Sequence, residues 1–208
     1  MDIVVFDVVG TLVEPWPRVS RAYAMAGRTH GVELAEDAIA ARFASAWRRQ
    51  EAIDAAATPP FATDRAREAE RWREIVAEVF DHVPESGRIF ADLWDHFARP
   101  ESWRPLQEGV RLVDAAKRSG RTVALASNFD ERLFEIARHV EPLVHADHVF
   151  ASSELGWRKP ATQFFREVER RLGARAEELT LIGDDPDLDV AAARRAGWRS
   201  FSITEPVA

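Results

Sequence analysis

Two short apolar runs, each opening onto carboxylates, constrain this chain more than anything else in it. Ile3–Phe6 is continuously hydrophobic and leads into Asp7-Val8-Val9-Gly10-Thr11-Leu12. Residues 179–182, Leu-Thr-Leu-Ile, lead into Gly183-Asp184-Asp185-Pro186-Asp187-Leu188-Asp189. Short apolar runs without strict alternation suit strands covered on both faces, as in a parallel sheet. The carboxyl ends of such strands are where open α/β sheets carry their ligands. Asp7, presented on a Gly-Thr turn, is placed as a nucleophile would be. The second cluster packs four aspartates into six residues, an excess of negative charge that calls for a cation, and hard oxygen donors favour magnesium.

Further apolar runs at 122–126 and 149–151, with a weaker one at 199–203, extend the strand series. Helical patterns at 112–118, 131–139, 162–172 and 188–196 lie between them, the last ending at Gly197. The alternation predicts a doubly wound, Rossmann-like α/β core with a parallel sheet. Residues from about 15 to 105 break the rhythm: no strand pattern is convincing there and helical spacing runs almost throughout. Helices are expected at 19–30, 37–56, 64–80 and 87–97, punctuated by Gly31, Pro59-Pro60, Pro84 and Pro100. The organisation predicted is a core of residues 1–14 and 106–208 with a helical cap of 15–105 over the sheet's carboxyl edge. The proline-bearing crossings at 14–17 and 103–106 are the expected hinges.

At 208 residues and 46% hydrophobic content the chain can bury a full core. It contains no cysteine, which excludes disulfides, zinc-thiolate sites and iron–sulfur clusters and favours a reducing cytoplasm. No apolar run is long enough to span a bilayer, and the N-terminus lacks the pattern of a signal peptide. A net charge of −7 argues against a nucleic-acid partner. The expected partner is a small, anionic molecule. Lys117 and Lys159 are the only lysines, so any step that needs an ammonium has two candidates.

Taken singly, the motifs are ordinary. Asp7 could cap a turn, Ser127-Asn128 could start a helix, Lys159 could be a solvated charge, and Asp184 to Asp189 could be an acidic helix start favoured by the dipole. Taken in order, Asp7, then Ser127-Asn128, then Lys159-Pro160, then Asp184 to Asp189, each just past an expected strand or loop, they point to one site. This order and spacing resembles the haloacid dehalogenase-like hydrolase superfamily, with its first-strand aspartate motif, strand-end Ser or Thr, Lys-Pro and Gly-Asp, and the helical insert resembles the superfamily's type 1 cap. Within it, the segments His30-Gly31-Val32-Glu33-Leu34, Ala46-Trp47-Arg48 and 70–76 are similar to the haloacid dehalogenase-like hydrolase domain-containing branch.

The resemblance implies roles. Asp7 forms a covalent aspartyl intermediate. Asp7, the Val9 backbone carbonyl and Asp184 hold Mg2+. Thr11, Ser127 and Asn128 bind the phosphoryl group. Lys159 offsets the charge of nucleophile and substrate, and Asp185 and Asp189 support the ligands and the lysine from behind. The cap tryptophans Trp16, Trp47, Trp72 and Trp94 are expected to pack at helical spacing. Trp16, Arg18 and Arg21, near the hinge, are the ones that could meet substrate.

One position departs from the pattern. Phosphatases of the superfamily carry a second aspartate two residues after the nucleophile, and here that residue is Val9. A positioned general acid/base contributes roughly 10²–10⁴ in rate, so poor leaving groups become poor substrates without it. Phosphonoacetaldehyde hydrolases replace the acid with a cap lysine, and this cap has none. Haloacid dehalogenases lack it because halide needs no proton. The resemblance therefore implies a magnesium-dependent phosphoryl-transfer hydrolase, with a 2-haloacid dehalogenase-type hydrolase and a catalytically weak binding relative left open beside it.

Overall fold

The computed structural model describes residues 3–204. Strand β1 (Ile3–Phe6) enters the turn at Asp7 and is followed by β2 (Val13–Pro15). Four helices come next: α1 (Val19–Thr29), α2 (Glu36–Ala56), α3 (Arg65–Val79) and α4 (Ser86–Ala98). The chain returns through β3 (Trp103–Pro105) to α5 (Gln107–Arg118), β4 (Thr122–Ser127), α6 (Arg132–Ala137), β5 (His148–Ala151), α7 (Ser152–Leu155) and α8 (Thr162–Leu172). It ends with β6 (Leu179–Gly183), a π-helical turn over Pro186–Ala191 that runs on into α9 (Ala192–Arg195), and β7 (Arg199–Ser202).

The core sheet is parallel throughout, in the order β5-β4-β1-β6-β7. Its two faces follow from the period of two along each strand. Val4 and Phe6 of β1 and Val123 and Leu125 of β4 join Val113 and Ala116 of α5 and Leu133 and Ile136 of α6 on one side. Ile3 and Val5, with Ala124 and Ala126, meet Phe164, Phe165 and Val168 of α8 and Ala192 and Ala193 of α9 on the other. Both faces are covered, which is why β1 and β4 read as unbroken apolar runs rather than alternating ones. The doubly wound α/β core is as the strand series predicts.

Helices α1 to α4 carry a separate apolar cluster in which Tyr23, Ile39, Val79, Phe80 and Ile89 are buried. The two expected hinges are not free crossings: β2 and β3 pair antiparallel, with Val13 opposite Pro105 and Pro15 opposite Trp103. Prolines at Pro15 and Pro105 hide these strands from a sequence reading, because proline is tolerated only where no ladder donor is needed. The last helix also differs. It begins at Pro186 rather than 188, as a π-helical turn in which Asp189 N and Val190 N both donate to Asp185 O, at 3.1 and 3.2 Å.

A buried ionic cluster joins the helical segment to the core. Arg158, just before Lys159, donates from Nη1 to both carboxylate oxygens of Glu68 on α3, at 2.7 and 2.8 Å. Thr63 and Ser152 hydroxyls donate to the same Glu68 Oε1 at 3.1 and 3.0 Å. Among the described residues no helix is long and apolar enough to cross a membrane.

Candidate active site

The parallel register brings the carboxyl ends of β1, β4 and β6 level, with Phe6 opposite both Leu125 and Ile182. Asp7, one residue further on, and Ser127 and Asp184, two residues further on, therefore emerge at one edge. Asp7 N is tied to Ile182 O at 2.9 Å, and Leu12 N and Val13 N both return to Val8 O, which closes the turn after the nucleophile position.

Asp7 is 7% exposed. Its Oδ1 accepts from Ser127 Oγ at 3.0 Å and from Lys159 Nζ at 2.6 Å, while Oδ2 accepts no hydrogen bond among the described residues. Lys159 Nζ also donates to Asp189 Oδ1 at 2.5 Å and to the Ala126 carbonyl at 3.3 Å. Burial alone would lower the lysine's pKa, but the carboxylates of Asp189 and Asp7 outweigh it and hold the ammonium charged. Asn128 fixes the backbone that carries this lysine, accepting from Lys159 N at 2.7 Å and donating to Lys159 O at 2.9 Å.

Carboxylate oxygens of Asp7, Asp184 and Asp189 all lie within 4.8 Å of one another. Burial pushes the Asp7 carboxyl up to about 6, with Asp189 and Asp184 adding to the rise and Lys159 opposing it. Asp184 is raised as well, first by burial, against the hydrogen bond from Thr11. Three acids with a single ammonium among them form a donor set of hard oxygens and surplus negative charge, which fits a divalent cation.

The backbone makes room for this crowding at two glycines. Gly10 has φ of +87°, and a Cβ there would lie 2.5 Å from Asp184 Oδ2. At Gly183 a Cβ would collide with the Asp189 carboxylate. Gly10→Ala is therefore expected to destabilise the fold by more than about 1 kcal/mol, because it combines an unfavourable φ with a clash against the Asp184 carboxylate. Urea unfolding measures it, and a midpoint equal to that of the parent protein would show the turn can relax.

Sequence reasoning places Asp7, Ser127, Lys159 and Asp184 together, and the structure gives Thr11, Asp185 and Asp189 these partners. Thr11, expected at the phosphate, is fully buried and its hydroxyl donates to Asp184 Oδ1 at 3.0 Å. Asp185 faces away and caps the π-helical turn, accepting from Asp187 N and Leu188 N, both at 2.8 Å. Asp189 accepts from Lys159, as expected of a residue supporting the lysine, and the π-helical turn also brings its carboxylate within the acid cluster.

The α1–α4 helices and the sheet edge flank a half-open apolar cavity of about 490 Å³ that reaches the edge at Val9 and Asn128. Trp47, Trp72 and Trp94 line it along with Phe43, Phe90 and Phe129. Their helical spacing reads as packing, and they do pack, Trp47 on Trp72 at 5.7 Å and Trp94 on Phe90 at 5.5 Å, yet each also lines the cavity. No sequence signal separates those roles. Trp16, by contrast, is 45% exposed with Arg104 stacked over its ring, and Arg18 and Arg21 both pair with Glu36 on the surface; none of the three lines the cavity.

The haloacid dehalogenase-like hydrolase model matches residues 1–197. The chain belongs to the haloacid dehalogenase-like hydrolase family. Among curated members, haloacid dehalogenase-like hydrolase domain-containing protein 3 of Bos taurus is 27% identical over 216 residues, covering 98% of this chain and 82% of that protein. A phosphoserine phosphatase of Thermus thermophilus is 32% identical over 139 residues, 64% of this chain and 52% of the relative. The structure of a defluorinating L-2-haloacid dehalogenase superposes with a TM-score of 0.77 at 21% identity, covering 100% of this chain and 82% of the other, which shows a shared fold. The haloacid dehalogenase-like hydrolase fold thus accounts for the sheet order and the helical segment after β1, and the chain is a hydrolase by family.

Proposed function

We propose that this hydrolase transfers phosphoryl groups through a covalent aspartyl phosphate at Asp7. The observation that carries the reading is the meeting of the Asp7, Asp184 and Asp189 carboxylates within 4.8 Å around Lys159, at the carboxyl edge of the sheet. Relatives named as phosphatases support it. The charge of the site also disfavours a 2-haloacid, whose own carboxylate would meet three acids. Within the same reading, residues 1–14 and 106–208 form the catalytic core, residues 15–105 form a cap, and the cysteine-free composition supports a cytoplasmic setting.

Asp7 and Asp184, with the Val9 carbonyl, would hold Mg2+, which when bound neutralises charge on the phosphoryl oxygens and on the carboxylates themselves. Asp7 attacks phosphorus, the bond from phosphorus to the leaving-group oxygen breaks, and that oxygen departs with the electron pair. Water then attacks the same phosphorus, the bond to Asp7 breaks, and inorganic phosphate leaves with the carboxylate restored. Ser127 Oγ and Lys159 Nζ, already on Asp7 Oδ1, hold the carboxylate in one orientation and offset charge as phosphoryl oxygens approach. Asn128 keeps the lysine's backbone in place. Thr11 positions Asp184, and Asp189 positions Lys159.

Val9 supplies no proton to the departing oxygen. Val9→Asp is expected to speed single-turnover cleavage of an alkyl phosphomonoester by up to about 10²-fold, because a carboxylic acid there protonates a poor leaving group. The gain should be far smaller for acetyl phosphate, whose leaving group needs no proton. The test of the whole reading is hydrolysis of acyl phosphates, phosphate esters and 2-haloacids with and without magnesium. Halide release independent of the metal, with no phosphate release from any compound, would sink it.

A further inference from the structure

We infer that the leaving group this site accepts is aryl: a phenolic or similarly acidic aromatic alcohol esterified to phosphate. The inference rests on the phosphoryl-transfer reading above and names its substrate class. Two independent observations converge on it at one residue. Chemically, Val9 stands where the proton donor belongs, so the departing oxygen must leave as an anion, and aryl oxides are far more stable as anions than alkoxides. Structurally, Val9 is also where the cavity of about 490 Å³ meets the reaction edge, so the cavity lies where a departing group extends from the phosphoryl centre.

The walls select for flat, apolar matter. Trp47, Trp72, Trp94, Phe43, Phe90 and Phe129 line the space. Aromatic guests gain from such walls both by apolar burial and by offset or edge-to-face contact. An apolar cavity of about 150 Å³ is enough to hold benzene, so this one has room for a fused bicyclic ring. Arg48, Asn128 and Arg132 are the charged and amide groups of the lining, and the rest of the wall is apolar or aromatic, so a sugar would lose most of its water there without replacement.

Tyr23 supplies one polar contact. It is 1% exposed, its ring lies against Phe43 and Phe80, and it lines the cavity. Among the described residues no hydrogen bond engages its hydroxyl, which is therefore free to donate to or accept from a guest. A polar substituent on the far side of the aryl ring would take that bond. Arg132 is not available for the task, since both oxygens of Asp130 hold its guanidinium, at 2.7 and 2.6 Å, and it stacks on Trp94.

The test compares kcat/KM for 2-naphthyl phosphate, phenyl phosphate, hexyl phosphate and acetyl phosphate with magnesium, in the parent protein, Ala44→Trp and Trp47→Ala. Ala44 lies on α2 at the exposed rim of the cavity, so its enlargement fills space without entering the core. Naphthyl phosphate is expected to exceed phenyl phosphate, whose leaving group is of similar acidity, by at least about tenfold, and hexyl phosphate by at least about 10²-fold. Either variant should lower the naphthyl-to-acetyl ratio at least about tenfold. Calorimetric binding of 2-naphthyl phosphate to Asp7→Asn should weaken in parallel when either change is added, a readout that needs no turnover. Acetyl phosphate cleaved in an Asp7-dependent way, with naphthyl phosphate no better than phenyl and both variants silent, overturns the aryl assignment and leaves phosphoryl transfer standing. No cleavage of any of the four compounds overturns phosphoryl transfer and the aryl assignment with it.

Discussion

Asp7→Asn is expected to lower phosphate release on the order of 10⁴-fold or more while the protein still folds. The amide keeps the shape of the side chain, and its carbonyl oxygen can still accept from Ser127 Oγ and Lys159 Nζ, which reach Asp7 Oδ1 at 3.0 and 2.6 Å. What it loses is a negatively charged oxygen able to bond to phosphorus. The neutral side chain also relieves the burial and the repulsion from Asp189 and Asp184 that push the Asp7 carboxyl up to about 6, so no large drop in stability follows. The measurement is paired. Acid quenching with an excess of acetyl phosphate should trap phosphorylated protein in the parent and none in the variant, and thermal unfolding should show that both fold. A variant that keeps its turnover would end the aspartyl mechanism, whatever the metal does.

Arg158→Met is expected to destabilise the protein by about 3–5 kcal/mol, because it removes one partner of a buried ion pair and leaves the other charged. Glu68 is 1% exposed and Arg158 is 1% exposed, and the two hydroxyls that also donate to Glu68 cannot balance its charge. Burial alone would raise the Glu68 carboxyl, but the Arg158 guanidinium outweighs it and holds the group below the usual glutamate range. A carboxyl depressed in the folded state adds stability above its unfolded pKa, and that stability is lost as the pH falls through the folded value. In Arg158→Met burial raises Glu68 against only the Arg71 charge and the hydroxyl bonds, so its carboxyl lies higher than in the parent and protonation relieves part of the loss. The gap between parent and variant, read by urea unfolding, should therefore be widest near neutral pH and narrow as the pH falls below the glutamate range. Adding Glu68→Leu to Arg158→Met should recover much of the loss. A gap that does not change with pH would place the cost in packing rather than in charge.

That ion pair joins α3 to the loop that carries Lys159, so the second experiment also reports on the first. Arg158 N donates to Phe61 O at 2.9 Å, and Thr63 N to Gly156 O at 3.0 Å, which ties the same loop to the helical segment through its backbone. The ammonium on Asp7 is thus held by Asn128 from the core and braced through its neighbour by the helices above it.

The sequence alone determined the parts of this protein that repeat a local rule. Ile3–Phe6 and the run after Leu179 are strands because unbroken apolar residues of this length need cover on both faces, and both faces are covered. Asp7, Ser127 and Asp184 could be named together because a parallel sheet delivers its strand ends to one edge, and Lys159, on the loop before α8, joined them by its order in the motif series. The helices of residues 19–98 announced themselves by period. The tertiary structure decided what depends on partners distant in sequence. The ribbon of β2 and β3 exists only because Val13–Pro15 and Trp103–Pro105 find each other, and the prolines that permit this at an edge conceal it in the sequence. Thr11 turned to Asp184, since a hydroxyl bonds whatever acceptor the fold sets within reach. Spacing shows that Trp47, Trp72 and Trp94 face inward on their helices. Whether the inside is filled or open depends on how helices separated by dozens of residues lean on one another, and here they leave a space that ends at Val9.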